Sequence, residues 1–162
     1  MCGIYLDHQS CCPVDPRVEE FARRFSDKDF GNPSALHSRG LAAKAAMEEA
    51  RARVAELIGA ESPESIIFTG SATQANNLAI RGAALRNAAK GKKLLASQIE
   101  HISVLNPHKD LKKGGFELNL IPVDSTGRID LSSLERLVDK ETVLTSIMYA
   151  NAEIGTVQPI RE

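Results

Sequence analysis

A run of small and hydroxyl residues, FTGSAT at positions 68–73, leads into a helical stretch that begins at Gln74. Backbone N–H groups at the start of a helix can approach a phosphate there, and the helix dipole favours its negative charge. Thr73 could add a hydroxyl donor. No GxGxxG or GxxxxGK[ST] pattern is present, so the sequence does not favour a dinucleotide or nucleoside-triphosphate site. The run indicates a monophosphate site or a plain turn capped by Ser71 or Thr73, the commoner case for such a run alone.

Two further polar residues follow predicted strands. His101 comes just after a strand that ends near Ser97, and Asn151 comes just after a strand at 142–149. Ligands of open α/β folds bind at the carboxyl ends of the strands, and a histidine ring there could stack on a flat cofactor. A histidine that only caps or packs its helix is the commoner alternative. With the turn at 68–73, these positions point to one crevice.

The other histidines and the cysteines do not suggest a second site. No metal-type spacing joins the histidines to Asp, Glu or Cys, so we predict structural roles and no metal site for three of them, His8, His37 and His108. The three cysteines lie at positions 2, 11 and 12, an odd count with a vicinal pair that does not bridge in ordinary geometry. We therefore expect neither a disulfide scaffold nor a reactive thiol.

Helices and strands must alternate to position these residues. The apolar periodicity, the caps and the turn residues predict helices at 17–26, 38–58, 74–89, 101–113 and 131–138, and strands at 65–69, 93–97, 116–122 and 142–149. Such alternation favours an α/β fold with a mostly parallel sheet and helices on both faces. Because the sequence stops just after a strand, we expect this sheet to be incomplete.

The composition is that of an ordinary soluble domain. The 162 residues are 43% apolar and 25% charged, and the formal net charge is −1. A balanced charge does not attract nucleic acid or an anionic membrane, so we expect a small-molecule partner. No apolar run approaches the roughly 20 residues of a membrane span, and the first residues do not resemble a signal peptide. We therefore expect no membrane association and a cytoplasmic location.

Several spaced motifs together resemble one family. In chain order they are YLD at 5–7, PVDPR at 13–17, FGNPS at 30–34, AT at 72–73, EH at 100–101 and EIGTVQ at 153–158. This series, over essentially the whole chain, is similar to the cysteine desulfurases of the class V aminotransferase family. These are pyridoxal 5'-phosphate (PLP) enzymes of fold type I.

The resemblance implies a fold and a cofactor site. Residues 15–162 would be part of the PLP-binding large domain, and residues 1–14 would contribute to the cofactor-site or small-domain region. In the family, residues matching Ala72 and Thr73 hold the cofactor phosphate. The residue matching His101 stacks on the pyridine ring and assists acid–base steps. Asn151 matches the first asparagine of a family pair, and we expect it to bind the cofactor as well.

The resemblance also implies a reaction and partners. The family converts L-cysteine to L-alanine and passes the sulfur to an enzyme cysteine as a persulfide, usually for iron–sulfur cluster assembly. An iron–sulfur scaffold protein is therefore an expected partner, as is a second subunit in a homodimer or a complementing chain. The Schiff-base lysine and the acceptor cysteine are expected beyond Glu162, so this chain alone is expected to be inactive.

Two departures from the family pattern keep alternatives open. GSATQ stands at 70–74 in place of the usual SGATE, and NAEIG stands at 151–155 in place of NNEIG. The second departure puts Ala152 where the family has an asparagine that contacts the phenolic oxygen of the cofactor. A non-catalytic remnant that acts as a binding or assembly partner is therefore the main alternative. A phosphate-binding α/β module unrelated to PLP is the other.

Overall fold

The computed structural model describes residues 3–8 and 10–162, so Cys2 lies outside the described residues. The chain forms two compact units, Met1–Phe68 and Thr69–Glu162. The predicted division into a segment at 1–14 and a partial large domain at 15–162 stays a prediction. Among the described residues, every helix is too short or too polar to span a lipid bilayer.

The first unit contains two helices and a short turn of 3-10 helix. Helix α1 spans Pro16–Asp27, helix α2 spans Ser38–Ile58, and the turn spans Pro63–Ser65. Asp15 caps α1 by accepting the N–H of Arg17 at 2.8 Å. His37 caps α2 by accepting the N–H of Gly40 at 3.3 Å, which is a structural role of the kind expected from the sequence.

The strand predicted at 65–69 is wrong. Ser65 ends the 3-10 turn, and no described residue forms a strand pair with residues 66–69. The Ile66 carbonyl instead accepts a hydrogen bond from the Arg51 guanidinium, which lies 5.1 Å from the centre of the Phe68 ring. Apolar, β-branched residues made this segment resemble a strand, but a strand also needs a neighbour with which to exchange backbone hydrogen bonds.

The second unit is a three-stranded parallel sheet with helices on both faces, which confirms the predicted fold class. In chain order it contains helix α3 (Ala72–Arg86), strand β1 (Lys93–Ser97), helix α4 (Ile102–Lys113), strand β2 (Glu117–Ile121), helix α5 (Leu131–Leu137) and strand β3 (Thr142–Ser146). The strand order β2-β1-β3 places β1 at the centre. The predicted strands 116–122 and 142–149 are present but shorter.

Two apolar clusters cover the two faces of the sheet. On one face, Leu94 packs with Ile80 of α3 and Leu111 of α4. On the other, Leu95 packs with Ile121 and with partly buried leucines of α5. Because β1 has neighbours on both edges and cover on both faces, residues 94–97 are completely buried. A continuous apolar run is the pattern expected of such a strand.

Gly91 permits the close approach between the segments that lead into β1 and β3. A Cβ atom at this buried position would lie 2.3 Å from the Glu141 carbonyl oxygen and 2.6 Å from its Cα. Two residues later, the Lys93 N–H donates to the same carbonyl at 2.9 Å. A side chain at residue 91 would therefore separate the two strands where their pairing begins.

We expect Gly91→Ala to lower the free energy of unfolding by about 1–3 kcal/mol, because the methyl group meets backbone that has no room to move. Gly82→Ala is the matched control, since a Cβ at this exposed position in α3 meets nothing within 4 Å. Alanine is the better helix former, so this variant should gain about 0.5–1 kcal/mol. Chemical denaturation checks both, and equal effects would contradict this explanation.

Candidate active site

A cleft of about 1040 Å³ opens at the carboxyl end of the sheet in the second unit. Residues between 99 and 104 after β1 form one wall, and residues between 145 and 154 at the end of β3 form another. Asn76 and Ile80 of α3 complete the lining. The sequence predicted a crevice at this edge, and both His101 and Asn151 line the cleft that the structure has there.

The cleft lies where the chain leaves two neighbouring strands in different directions. After β1 the chain enters α4, which packs on the face covered by α3. After β3 the chain turns towards the other face, where the Gln158 side chain bonds the Ile129 N–H at 2.9 Å and the Gly127 carbonyl at 2.8 Å. Ligand sites of open α/β sheets lie at such switch points.

A buried carboxylate joins the two walls of the cleft. Glu100 is 8% exposed, and its Oε1 accepts the Ser97 hydroxyl at 2.8 Å and the Met148 N–H at 2.5 Å. Ser97 ends β1, and Met148 follows β3 in the other wall. One oxygen thus sets the spacing between the two strand ends and fixes the peptide that carries His101.

His101 is placed by the start of α4. Its backbone is extended, and its Nδ1 accepts the N–H of Ser103 at 3.1 Å, so the side chain caps the helix. The residue is exposed and lines the cleft. The imidazole ring is therefore held at one edge and open to a ligand at the other.

Asn151 lines the cleft, but its side chain also holds the turn that contains it. Its Oδ1 accepts the N–H groups of Glu153 at 2.9 Å and Ile154 at 3.2 Å, and its Nδ2 donates to the Ile99 carbonyl at 3.4 Å. The side-chain oxygen of Asn151 is thus engaged within the protein. The neighbouring Ala152 is exposed in the cleft and offers only a methyl group.

Ala72 and Thr73 are the first two residues of α3 and lie outside the cleft lining. The sequence placed the start of this helix at Gln74, but the helix begins two residues earlier at Ala72, where Ser71 caps it by accepting the Gln74 N–H at 3.2 Å. The backbone N–H groups of Ala72 and Thr73, and the Thr73 hydroxyl, donate to no acceptor among the described residues. Such donors at a helix start fit a phosphate group.

Contacts between α3 and α4 connect this helix start to His101. Asn76, one turn into α3, donates from Nδ2 to the Ser103 hydroxyl at 2.9 Å.

An ion pair also joins the two helices further along, where Arg81 pairs with Asp110 at 2.8 Å. Hydrogen bonds from Lys113 and then from Arg81 lower the pKa of Asp110, so its contribution to stability is present above the ordinary value of 3.8 and is lost at lower pH.

Three residues of this site were not predicted from the sequence: Asn76, Glu100 and Ser103. Glu100 stood beside His101 in a recognised motif, yet its partner Met148 is 48 residues away along the chain. Asn76 and Ser103 are 27 residues apart, and nothing in the sequence pairs them. For this pair, the available signal was a polar residue near the start of each of two adjacent helices.

Residues 3–8 and 10–162 contain no cluster of side chains that could bind a metal ion. That the protein as a whole has no metal site stays a prediction. Cys11 and Cys12 are exposed free thiols in the first unit, and Cys12 Sγ donates to the His8 carbonyl at 2.9 Å. Cys11 and Cys12, the cysteines among the described residues, thus form no disulfide.

Comparison with known proteins identifies the family. Residues 4–162 match the class-V aminotransferase family. The chain belongs to this family, as the motif series predicted. The match begins before α1 and covers both compact units.

Individual relatives agree with this assignment. A protein named cysteine desulfurase IscS 1 from Archaeoglobus fulgidus is 49% identical over 158 residues, which are 98% of this chain and 41% of that protein. A solved structure titled NifS-like protein has a TM-score of 0.93 and 39% identity, covering 97% of this chain and 43% of its own. Another, titled SspA in complex with cysteine, has a TM-score of 0.87 and 37% identity, covering 96% and 45%. The chain thus spans less than half the length of each.

Glu100 provides a test of how the cleft is held. Replacing it with alanine leaves the Ser97 hydroxyl and the Met148 N–H without their acceptor, so we expect Glu100→Ala to cost about 1–3 kcal/mol of unfolding free energy. Glu100→Gln keeps an Oε1 acceptor and should lose less than half as much. Denaturant unfolding measures both.

The exposed Glu135 of α5 supplies the control for loss of a carboxylate. Glu135→Ala should change stability by no more than about 0.5 kcal/mol. Equal losses in Glu100→Ala and Glu100→Gln would show that negative charge, rather than hydrogen-bond acceptance at Oε1, is what the cleft requires.

Proposed function

We propose that this chain forms the phosphate- and ring-binding part of a PLP-dependent cysteine desulfurase. The observation that carries the proposal is the connection between two features. N–H donors at the start of α3, which have no acceptor in the part of the chain that the structure describes, are connected through Asn76 and Ser103 to a histidine ring at the edge of the cleft. Family membership and relatives named cysteine desulfurases support it.

The start of α3 suits the phosphate end of the cofactor. Ala72 and Thr73 would donate their N–H groups, and Thr73 would add its hydroxyl. The 15 residues of α3 align their peptide dipoles behind these donors, which favours a dianion. The methyl group of Ala72 leaves the backbone accessible.

The cleft suits the flat ring of the cofactor and an amino-acid substrate. PLP, when bound, withdraws electrons from the amino acid it carries. His101 would lie against the ring and donate a proton or a hydrogen bond to the substrate at its exposed edge. Glu100 and Asn151 would hold the two walls at the spacing that the ligand requires, since both bridge the segments that follow β1 and β3.

The whole reaction requires two further residues, a lysine and a cysteine. In the proposed enzyme, a lysine would bind the cofactor and a cysteine would accept sulfur as a persulfide, with L-cysteine converted to L-alanine. Both residues would lie in sequence that follows Glu162 or in a complementing chain. A homodimer and an iron–sulfur scaffold protein are the proposed partners, and PLP is the proposed cofactor.

Product formation tests this function directly. We expect the protein, encoded together with the sequence downstream of residue 162 and supplied with PLP, to form alanine from L-cysteine with an equal amount of reducible sulfur. Amino-acid analysis and sulfide release measure the two products. If no alanine forms with PLP in excess and the downstream sequence present, the proposal is wrong.

The absence of product would instead favour the second candidate function, a non-catalytic binding or assembly partner. Ala152 is the observation behind this candidate, because the methyl group stands in the cleft where the resemblance implies an asparagine contact with the cofactor. PLP binding without alanine formation would fit this partner role.

Thr73 tests the phosphate site. We expect Thr73→Val, which replaces the hydroxyl with a methyl group, to weaken PLP binding about tenfold or more, because a hydrogen bond to a charged group is lost. Thr142→Val is the matched control, since Thr142 begins β3 at the opposite edge of the sheet. Titration followed by the visible absorbance of the cofactor compares them. Equal PLP affinities in the two variants would show that the Thr73 hydroxyl at the start of α3 does not bind the phosphate.

A further inference from the structure

Three side chains form a polar chain that ends at the cleft. Asn76 Nδ2 lies 2.9 Å from the Ser103 hydroxyl, and that hydroxyl lies 2.8 Å from His101 Nδ1. Ser103 is 8% exposed, and both bonds are partly buried. A hydrogen bond that is partly removed from water is stronger than the same bond in water.

A backbone amide fixes the direction of every bond in this chain. The Ser103 N–H lies 3.1 Å from His101 Nδ1, and an amide N–H acts only as a donor. His101 Nδ1 must therefore be an acceptor and carry no proton. The Ser103 hydroxyl, facing the same nitrogen, must donate to it, which leaves its oxygen to accept from the Asn76 amide. The directions of these three hydrogen bonds are mutually consistent with the side-chain orientations in the structure.

We infer that Asn76 and Ser103 are positioning residues that hold the neutral His101 ring in the tautomer with its proton on Nε2. With Nδ1 occupied by the Ser103 N–H and hydroxyl, the other nitrogen is the one available to a ligand. His101 Nε2 has no hydrogen-bond partner among the described residues, and the residue lines the cleft. The ring therefore presents an N–H donor to the cleft.

This assignment specifies what His101 recognises. A neutral ring of this tautomer offers a proton to an acceptor atom, such as an oxygen of the cofactor or a carboxylate or sulfur of the substrate. It does not offer a lone pair at Nε2. The consequence for a bound cofactor rests on the proposed function, whereas the tautomer itself depends only on the contacts within this chain.

Nitrogen NMR measures the tautomer directly. In the full-length protein with ¹⁵N-labelled histidine, at alkaline pH where histidine rings are neutral, we expect His101 to show a protonated Nε2 and an unprotonated, hydrogen-bonded Nδ1. A His101→Gln variant assigns the signals. The opposite pattern, or an equal mixture in the wild-type protein, would overturn the inference without any further variant.

Variants of the polar chain test the roles of its members. Ser103→Ala should shift the His101 tautomer ratio about fivefold towards Nδ1–H, the effect of losing one neutral hydrogen bond. Asn76→Ala should shift it in the same direction, because the hydroxyl is no longer directed at the ring. Ser103→Thr, which keeps a hydroxyl, should preserve the wild-type ratio, and unchanged His101 signals in both alanine variants would refute the positioning role.

Asn77 supplies the matched control for Asn76. It is the next residue of the same helix, but its amide donates to the Thr73 carbonyl and accepts from Arg81, away from the polar chain. Asn77→Ala should leave the His101 ratio unchanged, and a shift as large as that of Asn76→Ala would count against a specific role for Asn76. Circular dichroism confirms that each variant is folded.

A separate PLP titration distinguishes this inference from the proposed function. If His101 has the Nε2–H tautomer but PLP does not bind, the polar chain is as inferred and the proposed cofactor is wrong. If PLP binds to a protein whose His101 carries its proton on Nδ1, the cofactor proposal stands and the inference is wrong.

Discussion

The burial of strand β1 on both faces and both edges determines where polar groups can meet in the second unit. Leu94 and Leu95 face opposite clusters and are completely removed from water, which contributes about 1.5–3 kcal/mol for each side chain. A strand so enclosed leaves only its ends for polar groups. At its carboxyl end, Glu100 and His101 follow within four residues of Ser97, and the segment after β3 meets them there.

Polar residues at this edge are held by one another rather than by loops alone. Glu100 fixes the distance between the two strand ends, Asn151 joins its own turn to Ile99, and Ser103 connects α3 to His101. Each of these contacts joins segments that are well separated in the sequence. In this chain, a framework of buried and partly buried hydrogen bonds thus lies at the base of the cleft.

Local patterns predicted much of this fold. The bounds of β1 and α2 agree with the structure because a continuous apolar run and a capped periodic helix are local features. The strand expected at 65–69 failed because pairing is a long-range property that residues 66–69 do not encode. His101 and Asn151 were located from the strand ends, but the bond from Asn76 to Ser103 joins residues 27 positions apart and required the packing of α3 on α4.

We propose that the carboxyl edge of β1 and β3, with the start of α3, is a cofactor site, and a crystal structure of the full-length protein grown with PLP tests this. We expect the phosphate against the N–H groups of Ala72 and Thr73 and the pyridine ring against His101. A cofactor bound elsewhere, or a phosphate remote from α3, would contradict it.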